Sequence, residues 1–130
     1  MRETLHAPQA PTPAGPYSHG ATQPAGSGRL VYLSGQTPNH PQTGRLVDGD
    51  VAAQARQCFA NLEAVLAAAG LTLDDVLKVN VYLTDMADFP ALNEVYRQTL
   101  REPYPARTTV AVAALPLGAR IEIEMVAAQP

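Results

Sequence analysis

The chain reads as an α+β fold, a two-layer sandwich with two helices on one face of a mixed β-sheet. Three observations predict it. Two segments carry apolar residues at helical spacing, five shorter ones have strand-like patterns, and they follow one another as β-β-α-β-α-β-β, an order that suits helices layered on a sheet. At 130 residues the chain suits one domain. A domain of this size buries only about two thirds of the surface its unfolded chain exposes, and helices on one side leave the other side of the sheet open. That open face predicts self-association with closed symmetry, and with it a cleft shared between copies.

Taken in order, residues 1–13 are expected to form an extended, Pro-rich N-terminal arm. Five of the twelve prolines (Pro8, Pro11, Pro13, Pro16, Pro24) fall in the first 24 residues, each fixing φ and removing an N–H donor. Gly15-Pro16-Tyr17 supplies a turn and an aromatic anchor. Strands follow over Ser18–Gln23 and Arg29–Gly35, joined by the turn-forming run Pro24-Ala25-Gly26-Ser27-Gly28. Thr37–Asp50, with Pro38, Pro41, Gly44 and Gly49, reads as a loop.

From Val51 to Ala69 the residues Val51, Ala55, Cys58, Leu62, Val65, Leu66 and Ala69 form an apolar helical stripe, with Gln54, Arg56, Gln57 and Glu63 off it. Asp50 is the expected N-cap and Gly70 the C-terminal stop. After a turn at Asp74-Asp75, Leu77–Thr84 alternates, setting Leu77, Val79, Val81 and Leu83 against Lys78, Asn80, Tyr82 and Thr84. Asp88 is the expected cap of a second helix with a stripe of Phe89, Leu92, Tyr96 and Leu100, ended by Pro103 and Pro105. Two final strands, about Arg107–Ala113 and Arg120–Ala128, are joined by Leu115-Pro116-Leu117-Gly118.

Composition removes several classes of function. Nine Lys+Arg against twelve Asp+Glu leave a net charge of −3, with 5% aromatics and no Trp. That offers neither the cationic face nor the stacking platform of a nucleic-acid binder, so no nucleic-acid partner is expected. The stretch Leu62–Leu73 is broken by Glu63 and Gly70 and is too short to span a bilayer. Met1 to His6 has no apolar signal core. A soluble, cytoplasmic protein with no membrane partner is the expectation.

Cys58 is the one cysteine, which rules out an intrachain disulfide, and its place on the apolar stripe marks a small core residue rather than a nucleophile. Lys78 is the one lysine, so Schiff-base chemistry would rest on it alone. His6, His19 and His40 lack ligand spacing, so neither metal nor cofactor is expected. Ser34-Gly35 is not a hydrolase elbow, and Gly26-Ser27-Gly28 is a turn rather than a phosphate loop.

The chemistry-bearing residues gather on the last two strands. Arg107 opens one, while Glu122 and Glu124 project from one face of the other and Ile121, Ile123 and Met125 from the opposite face. Charges on the uncovered face must be solvated, paired or functional. An Arg107–Glu122 ion pair between neighbouring strands and a functional role for both stand equally open at this point, and Glu124 reads as a structural or intersubunit charge.

Several short motifs then fall in a familiar order: Gly15-Pro16-Tyr17-Ser18, Leu33-Ser34-Gly35-Gln36, Val51-Ala52-Ala53-Gln54-Ala55, Pro105-Ala106-Arg107, Leu115-Pro116 and Ile121-Glu122-Ile123-Glu124. From about Ala14 to Ala127 the chain resembles the RidA (YjgF-type) reactive-intermediate deaminase family. The resemblance implies a chorismate-mutase-like α+β fold and a homotrimer with sites in its intersubunit clefts. It further implies hydrolysis of enamine/imine intermediates, such as the 2-aminoacrylate released by PLP-dependent enzymes, to 2-oxo acids and ammonia. That is the work of a 2-iminobutanoate/2-iminopropanoate deaminase, a C–N hydrolase of metabolite damage control.

By the same resemblance Arg107 is the carboxylate-binding arginine and Glu122 the water-handling glutamate, with Tyr17, Ser34, Gly35 and Asn93 lining the pocket. Thr109 stands where many relatives carry cysteine, so a thiol there is not essential, while a contribution from the backbone N–H would survive. Two alternatives use the same surface: a non-catalytic module that binds a 2-oxo acid or similar small metabolite, and an endoribonuclease or translation inhibitor, which the charge of −3 disfavours. A chorismate mutase is disfavoured too, because fold does not carry function and a dianionic substrate wants more convergent cations.

Overall fold

The computed structural model describes residues 2–130, which form a six-stranded mixed sheet with two helices on one face. The elements are β1 (Glu3–Leu5), β2 (Gly20–Ala25), β3 (Gly28–Gln36), α1 (Val51–Ala68), β4 (Val76–Leu83), α2 (Phe89–Thr99), β5 (Ala106–Ala111) and β6 (Ile121–Gln129). The strand order is β1-β2-β3-β6-β4-β5, antiparallel throughout except that β5 runs parallel to β4. Helix α2 makes the crossover between those two, as a parallel pair requires.

Local chemistry sets the element ends. Asp50 accepts from the Ala53 N–H at 3.0 Å and opens α1. The helix closes with Leu71 N–H bonded to Leu66 O at 2.9 Å and Gly70 N–H to Ala67 O at 3.0 Å, the paired bonds of a Schellman end, with Gly70 at φ 74° where a side chain would be strained. The β2–β3 turn is shorter than expected: Ala25 pairs with Gly28, and Pro24 is taken into the strand. It sits beyond the last β1 pair at Thr22, so its missing N–H breaks no ladder.

Four expectations are corrected. The arm is not irregular throughout, because Glu3–Leu5 adds a sixth strand along β2. Leu77 is not buried; the register between β4 and β6 slips at Val76/Lys78, and this bulge turns Leu77 out to 51% exposure while Val76 goes in. Asp88 makes no side-chain cap, because its carboxylate accepts from Arg120 Nη2 at 2.7 Å. Gln54 is buried despite lying off the apolar stripe, since its Oε1 accepts the Arg120 N–H at 2.9 Å.

The core lies between the helices and one sheet face. Cys58, Phe59, Leu62, Val65 and Leu66 of α1 and Leu92 and Val95 of α2 meet Val31, Val79, Val81, Leu83, Ile121, Ile123 and Met125. Each large apolar side chain buried there contributes about 1.5–3 kcal/mol. Burial pushes the Cys58 thiol well above its ordinary value, so it packs as an apolar group. No helix among the described residues is long and apolar enough to cross a membrane.

Candidate active site

The residues singled out on the last strands divide between the two faces of the sheet, and the strand register assigns them. Val79, Val81 and Leu83 are buried under the helices. Arg107 is paired with Val79 and Thr109 with Val81, so both belong to the helix-covered face. Glu122 is paired with Tyr82 and Glu124 with Asn80, which places both carboxylates on the open face. Strand β4 lies between β5 and β6. An Arg107–Glu122 pair across neighbouring strands is therefore ruled out within one chain: the strands are not neighbours, and the side chains leave opposite faces.

Arg107 is held by neutral partners. Its Nη1 donates to Asn93 Oδ1 at 2.8 Å, and its guanidinium carbon lies 4.7 Å from the Tyr96 ring centroid and 5.4 Å from that of Phe89. Helix α2 supplies all three at i, i+4 and i+7, which share one face of a helix. Among the described residues, four other arginines have carboxylate partners and Arg107 has none. The remaining donors of its planar fork stay available to an anion. Beside it lies a cavity of about 310 Å³ lined by Asn93, Tyr96, Arg97, Tyr104, Pro105 and Arg107. Burial raises the Tyr96 hydroxyl pKa against the opposing charge of Arg107, which keeps it neutral.

Glu122 belongs to a second cleft, of about 580 Å³, which it shares with Tyr17, Ser34, Gly35, Thr37, Asn39 and Leu117. The β3/β6 register shifts between Leu33 and Gln36, bending the strand where the carboxylate lies. A Cβ on Gly35 would come within 2.8 Å of Glu122 Oε2, so only glycine lets the carboxylate rest against the strand. Ser34 is fixed by its N–H to His19 O at 3.0 Å and its hydroxyl to Ser18 O at 2.6 Å. Tyr17 closes the turn through its N–H to Gly15 O at 2.9 Å, and its hydroxyl accepts the Ala14 N–H at 3.1 Å.

The two acidic side chains differ in their surroundings. Glu124 accepts from the Tyr82 hydroxyl and from Asn80 Nδ2 at 3.2 Å. That first bond is the main reason the Tyr82 hydroxyl is pushed up to about 12. Burial, and then the charge of Glu124, raise the Glu122 carboxyl above its ordinary value. Glu124 is thus tied into the sheet surface, while Glu122 is held less readily ionised than a free glutamate.

The structure brings Tyr17, Ser34, Gly35 and Glu122 together, and separately Arg107 and Asn93. Thr109 lines neither cavity; its hydroxyl is buried without a partner. His19, Thr37, Asn39 and Leu117 were not anticipated. The buried His19 ties down the arm, Nδ1 accepting the Ala7 N–H at 3.1 Å and Nε2 donating to Pro11 O at 2.8 Å. Thr37 and Asn39 are anchored by Asn61 of α1, whose Nδ2 donates to their carbonyls at 3.3 and 3.0 Å. A polar residue among the apolar positions of α1 was the available signal for that tether. No group of three or more His, Cys, Asp or Glu among the described residues could hold a metal ion.

Comparison with known proteins adds a family. The family model described as Endoribonuclease L-PSP matches residues 7–129. A RutC family protein of Pyrococcus horikoshii is 46% identical over 127 residues, covering 98% of each chain. A 2-iminobutanoate/2-iminopropanoate deaminase of Dermatophagoides farinae is 42% identical over 125 residues, 96% of this chain and 94% of that protein. The crystal structure of E. coli TdcF with bound serine superposes with a TM-score of 0.88 at 40% identity, over 98% of this chain and 99% of that one.

Proposed function

This chain belongs to the Endoribonuclease L-PSP (YjgF/RidA) family, and from that premise we propose that it is an imine deaminase. Its substrates are 2-aminoacrylate and related 2-imino acids released in the cytoplasm by PLP-dependent enzymes, and its products are 2-oxo acids and ammonia. The observation that carries this reading is Arg107, a cation held by an amide and two rings with no carboxylate of its own among the described residues. Such a guanidinium grips a carboxylate through two parallel hydrogen bonds. The deaminase name of a relative at 42% identity supports the same chemistry.

The enamine tautomerises to the imine, whose carbon is already electrophilic. Glu122 takes a proton from a water as its oxygen bonds to that carbon and the C=N electron pair moves to nitrogen. The protonated Glu122 returns that proton to nitrogen, giving a carbinolamine; Glu122 then carries the hydroxyl proton to nitrogen as the C–N bond breaks, and ammonia leaves as the carbonyl forms. Burial raises this carboxyl toward the protonated form, the direction that favours returning a proton, and such acid–base work is worth about 10²–10⁴-fold. Because Arg107 and Glu122 leave opposite faces of the sheet, one complete site takes Arg107 and Asn93 from one copy and Tyr17, Ser34, Gly35 and Glu122 from the next. A homotrimer closes such contacts into a ring.

The test couples the pure protein to a threonine or serine dehydratase and follows 2-oxo acid release. Wild type should accelerate it and Arg107→Ala should not. No acceleration by wild type, or full acceleration by Arg107→Ala, contradicts the assignment. A 2-oxo acid bound through Arg107, with Glu122→Gln leaving every rate unchanged, would instead make the protein a binding module.

A further inference from the structure

Leu117 is anomalous twice over. It is the one non-glycine residue with positive φ among those described, at 58°, in the turn Pro116–Gly118, a conformation that leucine avoids. It is also 70% exposed, more than any other large apolar side chain described. Within a single chain the fold therefore gains neither a relaxed backbone nor burial from leucine at this position. Residues held in such conformations concentrate where a site needs them, and Leu117 lines the cleft of Glu122.

We propose that Leu117 is a specificity-determining residue, an apolar wall that favours 2-imino acids with long apolar side chains over 2-iminopropanoate, the methyl imine of 2-aminoacrylate, which the site also accepts. This rests on the deaminase reading above. With the imine carbon at Glu122, the substrate's side chain lies in the same cleft, whose apolar lining is Pro16, Tyr17, Pro116 and Leu117. The Glu122 carboxylate opposes an acidic side chain there. Leucine-type amino acids carry no leaving group on the β-carbon, so β-elimination from them cannot supply the imine with an isobutyl side chain. Its source is a two-electron oxidation of the amino acid, with an oxidase or dehydrogenase passing the electrons to an acceptor.

The experiment generates 2-imino acids from leucine and from alanine with an amino-acid oxidase and measures the decay of each above its uncatalysed rate. The readout is the ratio of kcat/KM for the leucine-derived over the alanine-derived imine, expected at about tenfold or more for wild type. Leu117→Ala and Leu117→Gly should each cut that ratio at least about fivefold. Leu117→Gly should also raise Tm by about 2–4 °C, since glycine relaxes the turn. A wild-type ratio at or below one, a ratio unchanged in both variants, or a lower Tm in Leu117→Gly overturns the assignment of Leu117. If wild type accelerates neither imine, the deaminase reading falls and this inference falls with it.

Discussion

The two faces of the sheet treat charge in opposite ways. On the helix-covered face Arg107 is fixed by Asn93, Phe89 and Tyr96, all from one turn-spaced face of α2, and its charge is left uncompensated by protein. On the open face Glu122 is pressed against Gly35 at a strand bulge and its carboxyl is raised by burial and by Glu124. The first arrangement suits holding an anion; the second suits moving a proton. That neither face carries both is what assigns binding and proton transfer to different residues and lets each be broken alone.

The largest expected effect comes from the proton-transfer side. Glu122→Gln keeps the shape and removes the titration, so kcat should fall by about 10²–10⁴-fold with KM little changed. Arg107→Ala should act the other way, raising KM by about 10–100-fold through loss of charge-assisted bonds. Arg107→Lys should recover only part of that, because an ammonium lacks the fork. Steady-state rates for the three proteins decide whether the split holds; equal losses in kcat and KM for both sites would erase it.

Stability separates the faces further. The folded state raises the Glu122 carboxyl, so ionising it opposes folding: the cost is absent below the unfolded pKa of about 4.3 and grows as pH rises through the folded value. Glu122→Gln should therefore melt higher than wild type at pH 7, and the gap should close near about pH 4. Thermal melts at the two pH values measure it, and a gap that widens in acid would reverse the sign. The smallest effect concerns Glu124. Its charge is the secondary cause of the Glu122 shift, so Glu124→Gln should move the acid limb of the kcat profile to lower pH by a fraction of a unit, while an upward shift would contradict that coupling.

What was legible in the sequence was mostly local. The Asp50 cap, the Gly70 stop and the stripe from Val51 to Ala69 depend on residues a few positions apart, and the structure has them as expected. What the sequence hid depends on partners far along the chain. Three residues paired along β2 make a strand of Glu3–Leu5, and no periodicity announces so short a run. Leu77 breaks its alternation because of a bulge set by β6. Asp88 is drawn from capping by Arg120, 32 residues on. Arg107 and Glu122 were legible as charged residues on final strands, but the insertion of β4 between those strands is a matter of topology, and it is what separates the two half-sites. Leu117 escaped notice because exposure and a positive φ leave no pattern in residue types.

Subunit mixing tests the division of the site between copies most directly. Arg107→Ala and Glu122→Gln chains are unfolded together, refolded at equal amounts and assayed with the dehydratase-coupled reaction well below KM, where each alone is impaired by about tenfold or more. If Arg107 of one copy serves Glu122 of the next, random assembly gives about a quarter of the sites both groups intact, and the mixture should regain roughly that share of wild-type activity. A mixture no more active than the average of its two impaired parents would contradict a site built from both faces.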